Sequence, residues 1–137
     1  MKGSNISSFC PECKSSCRKM FNADSAILDE LSGAKREITF NKGETLFKQY
    51  TFVSHIIFIR KGLVKLFIEG TSGKNIIVKI LTSGDFIGLP LLFGENYSHF
   101  TAVALKKTQV CLIKRDFMEN IMQNKKEINQ NVFRWYA

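Results

Sequence analysis

The segment Ile57-Phe58-Ile59-Arg60-Lys61-Gly62-Leu63-Val64-Lys65 decides the fold. Two apolar-rich runs meet at the turn signal Lys61-Gly62, so the stretch reads as a β-hairpin. The same unit of short run and turn recurs on both sides. Upstream lie Glu37–Phe40 with the turn Asn41-Lys42-Gly43, then Thr45–Lys48 and His55–Arg60. Downstream lie Leu63–Ile68, Asn75–Leu81, Phe86–Phe93, Thr101–Leu105 and Gln109–Ile113, with turn residues between them. Many short strands at even spacing predict an all-β sandwich or barrel.

Helical periodicity flanks this block. Ala23–Leu31 is expected to form a short amphipathic helix, capped by Asp24 or Ser25 and stopped at Gly33. Asp116 is expected to cap a helix carrying Phe117, Ile121 and Met122. A second helix begins near Lys126 and carries Ile128, Val132, Phe133 and Trp135. The apolar end at Phe133–Tyr136 reads as the opening of a longer helix. Residues 1–9 read as loosely ordered.

A chain of 137 residues suggests one domain, and a hydrophobic fraction of 45% with twelve Phe fits a packed core rather than disorder. The apolar run Phe86–Phe93 is too short to cross a bilayer. The start, Met1-Lys2-Gly3-Ser4-Asn5, has no apolar signal core, so a cytoplasmic location and no membrane partner are expected. The net charge of +8 comes from scattered basic residues with no dense run. It fits a solvated surface, or an electrostatic pull toward nucleic acid. His55 and His99 stand apart, and there is no nucleophile–base pattern or phosphate loop. The chain is therefore not expected to be an enzyme.

The four cysteines carry the chemistry. Cys10, Cys13 and Cys17 are interleaved with Lys14 and followed by Arg18 and Lys19, whereas Cys111 stands most of the chain away. In a reducing compartment such cysteines more often bind metal or act in redox chemistry than form disulfides. Three soft ligands in a short loop and one remote ligand suit a four-coordinate site. The nearby cations would offset the charge of four thiolates. Alternation along Gln109–Ile113 puts Val110 and Leu112 on the face opposite Cys111. A Zn(Cys)₄ site and a plain buried thiol at Cys111 remain open; zinc sites usually pair two C-x₂-C knuckles, and this chain has one.

Several motifs in order resemble the effector domain of the Crp/Fnr transcription regulators. They are Phe40-Asn41-Lys42-Gly43-Glu44-Thr45-Leu46-Phe47, Ile59–Lys65, Gly84-Asp85-Phe86-Ile87-Gly88, and Ala102–Leu105 followed by Val110–Ile113. The likeness spans roughly residues 21–135. It implies a mainly β fold, a double-stranded β-helix (jelly roll) of the cyclic-nucleotide-binding-domain type with flanking α-helices. It divides the chain into a cysteine-rich N-terminal loop (1–20), a jelly-roll sensor domain (21–125) and the start of a dimerisation helix (126–137). By the same resemblance the full regulator would be a homodimer that binds DNA through a C-terminal helix-turn-helix domain, for which this chain has no residues.

Two branches of that family differ at the site. Cyclic-nucleotide receptors carry a Glu for the ribose and an Arg for the phosphate. Here the Glu position is Leu89, followed by Pro90, and the Arg position falls at Ser98, His99 or Phe100. No Arg occurs between Arg60 and Arg115, so cyclic nucleotide is not the expected ligand. The Fnr branch holds a [4Fe–4S] cluster on three N-terminal cysteines and one in the β-domain. Ala104-Leu105-Lys106-Lys107-Thr108-Gln109-Val110-Cys111-Leu112-Ile113 matches that branch, which implies Cys10, Cys13, Cys17 and Cys111 as cluster ligands. The C-x₂-C-x₃-C spacing is shorter before the third cysteine than in the best-known members. The function so implied is oxygen or redox sensing; the alternative is a regulatory domain binding a cyclic nucleotide or other small molecule without a metal.

Overall fold

The computed structural model describes residues 2–3 and 17–136. Among these described residues, nine strands form two antiparallel sheets. They are β1 (Lys2–Gly3), β2 (Lys35–Phe40), β3 (Thr45–Phe47), β4 (His55–Lys61), β5 (Leu63–Glu69), β6 (Asn75–Thr82), β7 (Phe86–Ile87), β8 (Thr101–Ala104) and β9 (Thr108–Lys114). The first sheet runs β1-β2-β9-β4-β7 and the second β3-β8-β5-β6. Four helices, α1 (Cys17–Met20), α2 (Ser25–Ala34), α3 (Arg115–Asn124) and α4 (Lys126–Tyr136), complete the fold. This is the expected β sandwich with flanking helices.

The first sheet lies between two cores, and this explains its sequence. Ile57 and Ile59 of β4, Val110 and Leu112 of β9, and Ile38 and Phe40 of β2 face the second sheet, meeting Val64, Leu66, Leu81, Ala102 and Ala104. Ile56, Phe58, Cys111 and Ile113 face the other way, onto Met20, Phe21, Leu28, Leu31, Met118, Ile121, Ile128 and Val132 of the helical layer. Strands covered on both faces need apolar residues at nearly every position, so β4 reads Ile-Ile-Phe-Ile rather than as an alternation. At the edge of the second sheet, β6 leaves Ile76, Ile77, Val78 and Ile80 exposed.

Several local expectations are corrected. The apolar run Phe86–Phe93 is not one strand: β7 stops at Ile87, and Leu89–Phe93 is a 3-10 helix. Gly88 turns the chain at φ 95°, and Pro90, which has no N–H for a ladder, sits in the first turn. Leu91 N–H closes the turn on Gly88 O at 3.0 Å. Helix α2 begins at Ser25 and continues through Gly33 to Ala34. Burial of Ile27, Leu28 and Leu31 outweighs the roughly 1 kcal/mol that an interior Gly costs. Asp24 is its cap, accepting from Ala26 N at 2.9 Å and Ile27 N at 3.2 Å. Asp116 does not cap α3; it lies in the first turn, where its charge favours the helix N-terminus, and Lys114 holds the cap position. Lys2–Gly3, in the segment read as loose, pairs with Ile38 and Thr39 of β2.

Candidate functional site

Cys111 sits near the middle of β9, the third of five strands in its sheet. It faces Glu37 of β2 on one side and Phe58 of β4 on the other. The residue is 7% exposed and belongs to the helix-side core, while Val110 and Leu112 belong to the inter-sheet core. The alternation read from the sequence is thus observed.

Cys17 opens α1 and is 8% exposed in the same helix-side core as Cys111. The fold therefore brings two of the four expected ligands, from opposite ends of the chain, into one buried cluster. An apolar shell around two thiols meets one requirement of an iron–sulfur site, control of solvent access. Among the described residues no three His, Cys, Asp or Glu side chains converge as metal ligands. Cys10 and Cys13 lie outside the described residues.

The α1 turn is held by a residue that sequence reading missed. Asn131 of α4 is 8% exposed, and its Nδ2 donates to Met20 O at 2.9 Å, Lys19 O at 3.3 Å and Asn22 Oδ1 at 2.9 Å. An Asn on the buried face of an amphipathic helix was the available signal, since a buried polar side chain is nearly always hydrogen-bonded. Ala23 N–H to Arg18 O (2.8 Å) and Asp24 N–H to Phe21 O (3.0 Å) fold the chain from α1 into α2. The turn that begins at Cys17 is thus bonded directly to the C-terminal helix. Asn131→Ala is expected to cost about 1–3 kcal/mol, because it takes the side-chain donor from the buried Met20 carbonyl and from Asn22 Oδ1. Urea unfolding checks this, and a loss below about 0.5 kcal/mol would contradict the assigned bonding.

Charge gathers beside Cys111 on the same sheet face. Glu37, its cross-strand neighbour, accepts from Arg60 Nη1, and Lys35 Nζ lies 3.8 Å from the same carboxylate oxygen. Among the described residues, two cations against one carboxylate place positive charge next to a thiol that would carry negative charge as a ligand.

A second feature opens between the sheets, a cavity of about 390 Å³ beside β7 and the 3-10 helix. Leu89, Ser98, His99 and Phe100 all lie in its wall, so the positions where a receptor would carry its Glu and Arg do face a cavity. His99 Nε2 instead pairs with Glu95 Oε2 at 2.8 Å in the open, a partner not foreseen from the sequence. His55 borders this cavity and an outer groove with Lys114 and Arg115. Burial first, then Arg36 and Lys114, push its pKa below the ordinary 6.5. The folded state therefore prefers neutral imidazole, and the unfolded chain takes up the proton first. His55 thus contributes stability that is present above pH 6.5 and lost as pH falls toward the folded-state value. His55→Gln is expected to flatten the rise of the urea midpoint between about pH 5 and about pH 7.5.

The comparisons agree with this geometry. The model described as "Cyclic nucleotide-binding domain" matches residues 37–125. The chain belongs to the cyclic nucleotide-binding domain family. Two curated relatives are regulatory proteins by name. The chain is 27% identical over 131 residues to the nitrogen fixation regulation protein FixK of Bradyrhizobium diazoefficiens, covering 92% of this chain and 54% of that protein. It is 31% identical over 98 residues to the transcriptional activator protein FnrA of Stutzerimonas stutzeri, covering 72% and 39%. The chain thus spans about half, or less, of the curated relatives it matches. Among solved structures, the sensor domain of the transcriptional regulator DNR from Pseudomonas aeruginosa superposes with a TM-score of 0.77 over 86% of this chain and 84% of that one. At 14% identity that likeness speaks to the fold alone. No helix among the described residues is long and apolar enough to cross a membrane.

Proposed function

We propose that this chain is the sensory domain of a Crp/Fnr-type DNA-binding transcription regulator, responding to oxygen or redox state through a [4Fe–4S] cluster on Cys10, Cys13, Cys17 and Cys111. The observation that carries the reading is the burial of Cys17 and Cys111 in one core, on the face of β9 that meets the helices. When bound, such a cluster supplies an oxygen-labile link between the N-terminal segment and β9.

The chain's own residues supply the rest. Phe58, Ile113, Met20 and Phe21 share the buried helix-side cluster with Cys17 and Cys111 and help keep water from it. Lys35 and Arg60, anchored on Glu37, place positive charge near the thiolate. Asn131 ties the Cys17 turn to α4, so the position of that turn and the position of α4 are linked. In the full regulator, by resemblance, α4 opens the helix through which two copies pair, and DNA binds through a further domain. A shift of a few kcal/mol at such an interface is enough to change the dimer population. A cytoplasmic setting belongs to the same reading.

The test is anaerobic purification followed by controlled air exposure, read by visible absorbance and by hydrogen exchange. Air is expected to bleach a broad visible band and to speed exchange in residues 17–22 and 126–136. Protein without a visible band after anaerobic reconstitution with iron and sulfide would contradict the cofactor. Bleaching with unchanged exchange in both segments would contradict the coupling through Asn131.

A further inference from the structure

An ion group crosses the strand that carries Cys111. Glu37 lies on β2 and Arg60 on β4, and β9 runs between those two strands. Arg60 Nη1 donates to Glu37 Oε1, so this bond spans β9. It does so on the helix side of the sheet, because Glu37 pairs with Cys111 and cross-strand partners share a face. Their Cβ atoms lie about 5 Å apart in such a pair. The ladder between β4 and β9 shifts between Ile59 and Lys61, which leaves Arg60 as an extra residue on β4. A bulge of this kind re-aims a side chain, and here the arginine reaches across β9. Lys35, two residues before Glu37 and so on the same face, brings a second cation to 3.8 Å from the same carboxylate oxygen.

The side chains of Lys35 and Glu37 are 3% and 10% exposed, and that of Arg60 is 28% exposed. Ion pairs this deep contribute little net stability, because desolvation offsets the attraction. Their position is more informative than their strength. Fixed charges of both signs stand beside one of the proposed ligands, where solvent ions screen them weakly. The potential of an iron–sulfur site depends on the charge around it. A fixed negative charge favours the oxidised form, which carries less negative charge, and a fixed positive charge favours the reduced form.

We propose that Lys35, Glu37 and Arg60 set the redox potential of the cysteine site, with Glu37 as the positioning residue that holds both cations beside Cys111. This role rests on the cluster proposed above and adds to it the threshold at which the site changes state. Glu37 and Arg60 share one bond yet act on the potential with opposite sign.

The test is a redox titration with mediator dyes on the whole chain, reconstituted anaerobically with iron and sulfide and read by visible absorbance. One electron passes between dye and site, and no bond forms or breaks. Glu37→Gln is expected to raise the midpoint potential and Arg60→Gln to lower it. Each should change the oxidised-to-reduced ratio at a fixed potential by about tenfold, or about 59 mV for one electron. A purely structural role predicts shifts of the same sign, because both substitutions break the same bond. Shifts of the same sign, or none, in protein that still holds its cluster would overturn the proposal and leave the cluster reading intact. Should either variant fail to fold by circular dichroism, Lys35→Gln keeps the Glu37–Arg60 bond and should lower the potential; an unmoved potential there would overturn the proposal equally. Unsubstituted protein that forms no cluster would contradict the cluster reading itself, and this role with it.

Discussion

Gly62→Ala is expected to destabilise the domain by about 3 kcal/mol or more. Gly62 joins β4 to β5 with φ at 141°, a backbone state that side chains other than glycine's rarely adopt. A Cβ there would lie 2.4 Å from Thr108 Oγ1 and 2.6 Å from Thr108 Cα. Thr108 cannot yield easily. It is fully buried, and its hydroxyl lies 2.8 Å from Lys106 O while accepting from Leu63 N–H at 3.2 Å. The clash therefore falls on backbone at the point where the hairpin crosses the start of β9. Gly43→Ala separates the two contributions, because Gly43 has φ at 88° but nothing within 4 Å of its Cβ. That variant should cost only the conformational part, about 1 kcal/mol. Urea midpoints of the two variants read the difference, and equal losses would contradict the close approach at Gly62.

Cys111→Ala is expected to lower iron retained after anaerobic reconstitution by tenfold or more, with Cys17→Ala close behind. In the metal-free chain the same Cys111→Ala change should cost only about 1 kcal/mol, the loss of one buried sulfur from a packed core. Val110→Ala makes the contrast. Val110 is fully buried on the opposite face of the same strand, so its truncation should cost about 2 kcal/mol yet leave the iron in place. Reversed behaviour, with iron lost in Val110→Ala and kept in Cys111→Ala, would remove Cys111 from the ligand set.

The parts of this fold that rest on local pattern were legible in the sequence. The hairpin around Lys61-Gly62, the face of Cys111 and the Asp24 cap all follow from period, turn chemistry or one short-range bond. The run Phe86–Phe93 misled because apolar content does not report backbone direction; Gly88 and Pro90, present in the run, held that information. Gly33 failed as a stop because packing of Leu28 and Leu31 overrides a weak propensity. The contacts of Asn131 with Met20 and of Arg60 with Glu37 join residues far apart in the chain, and no local pattern encodes such partners.

Iron and acid-labile sulfide per chain, measured on protein kept anaerobic throughout, test the central claim most directly. The account predicts about four of each per chain, with a broad visible band that fades in air. One tightly held zinc per chain, or protein that binds no metal and still keeps its fold, would contradict it.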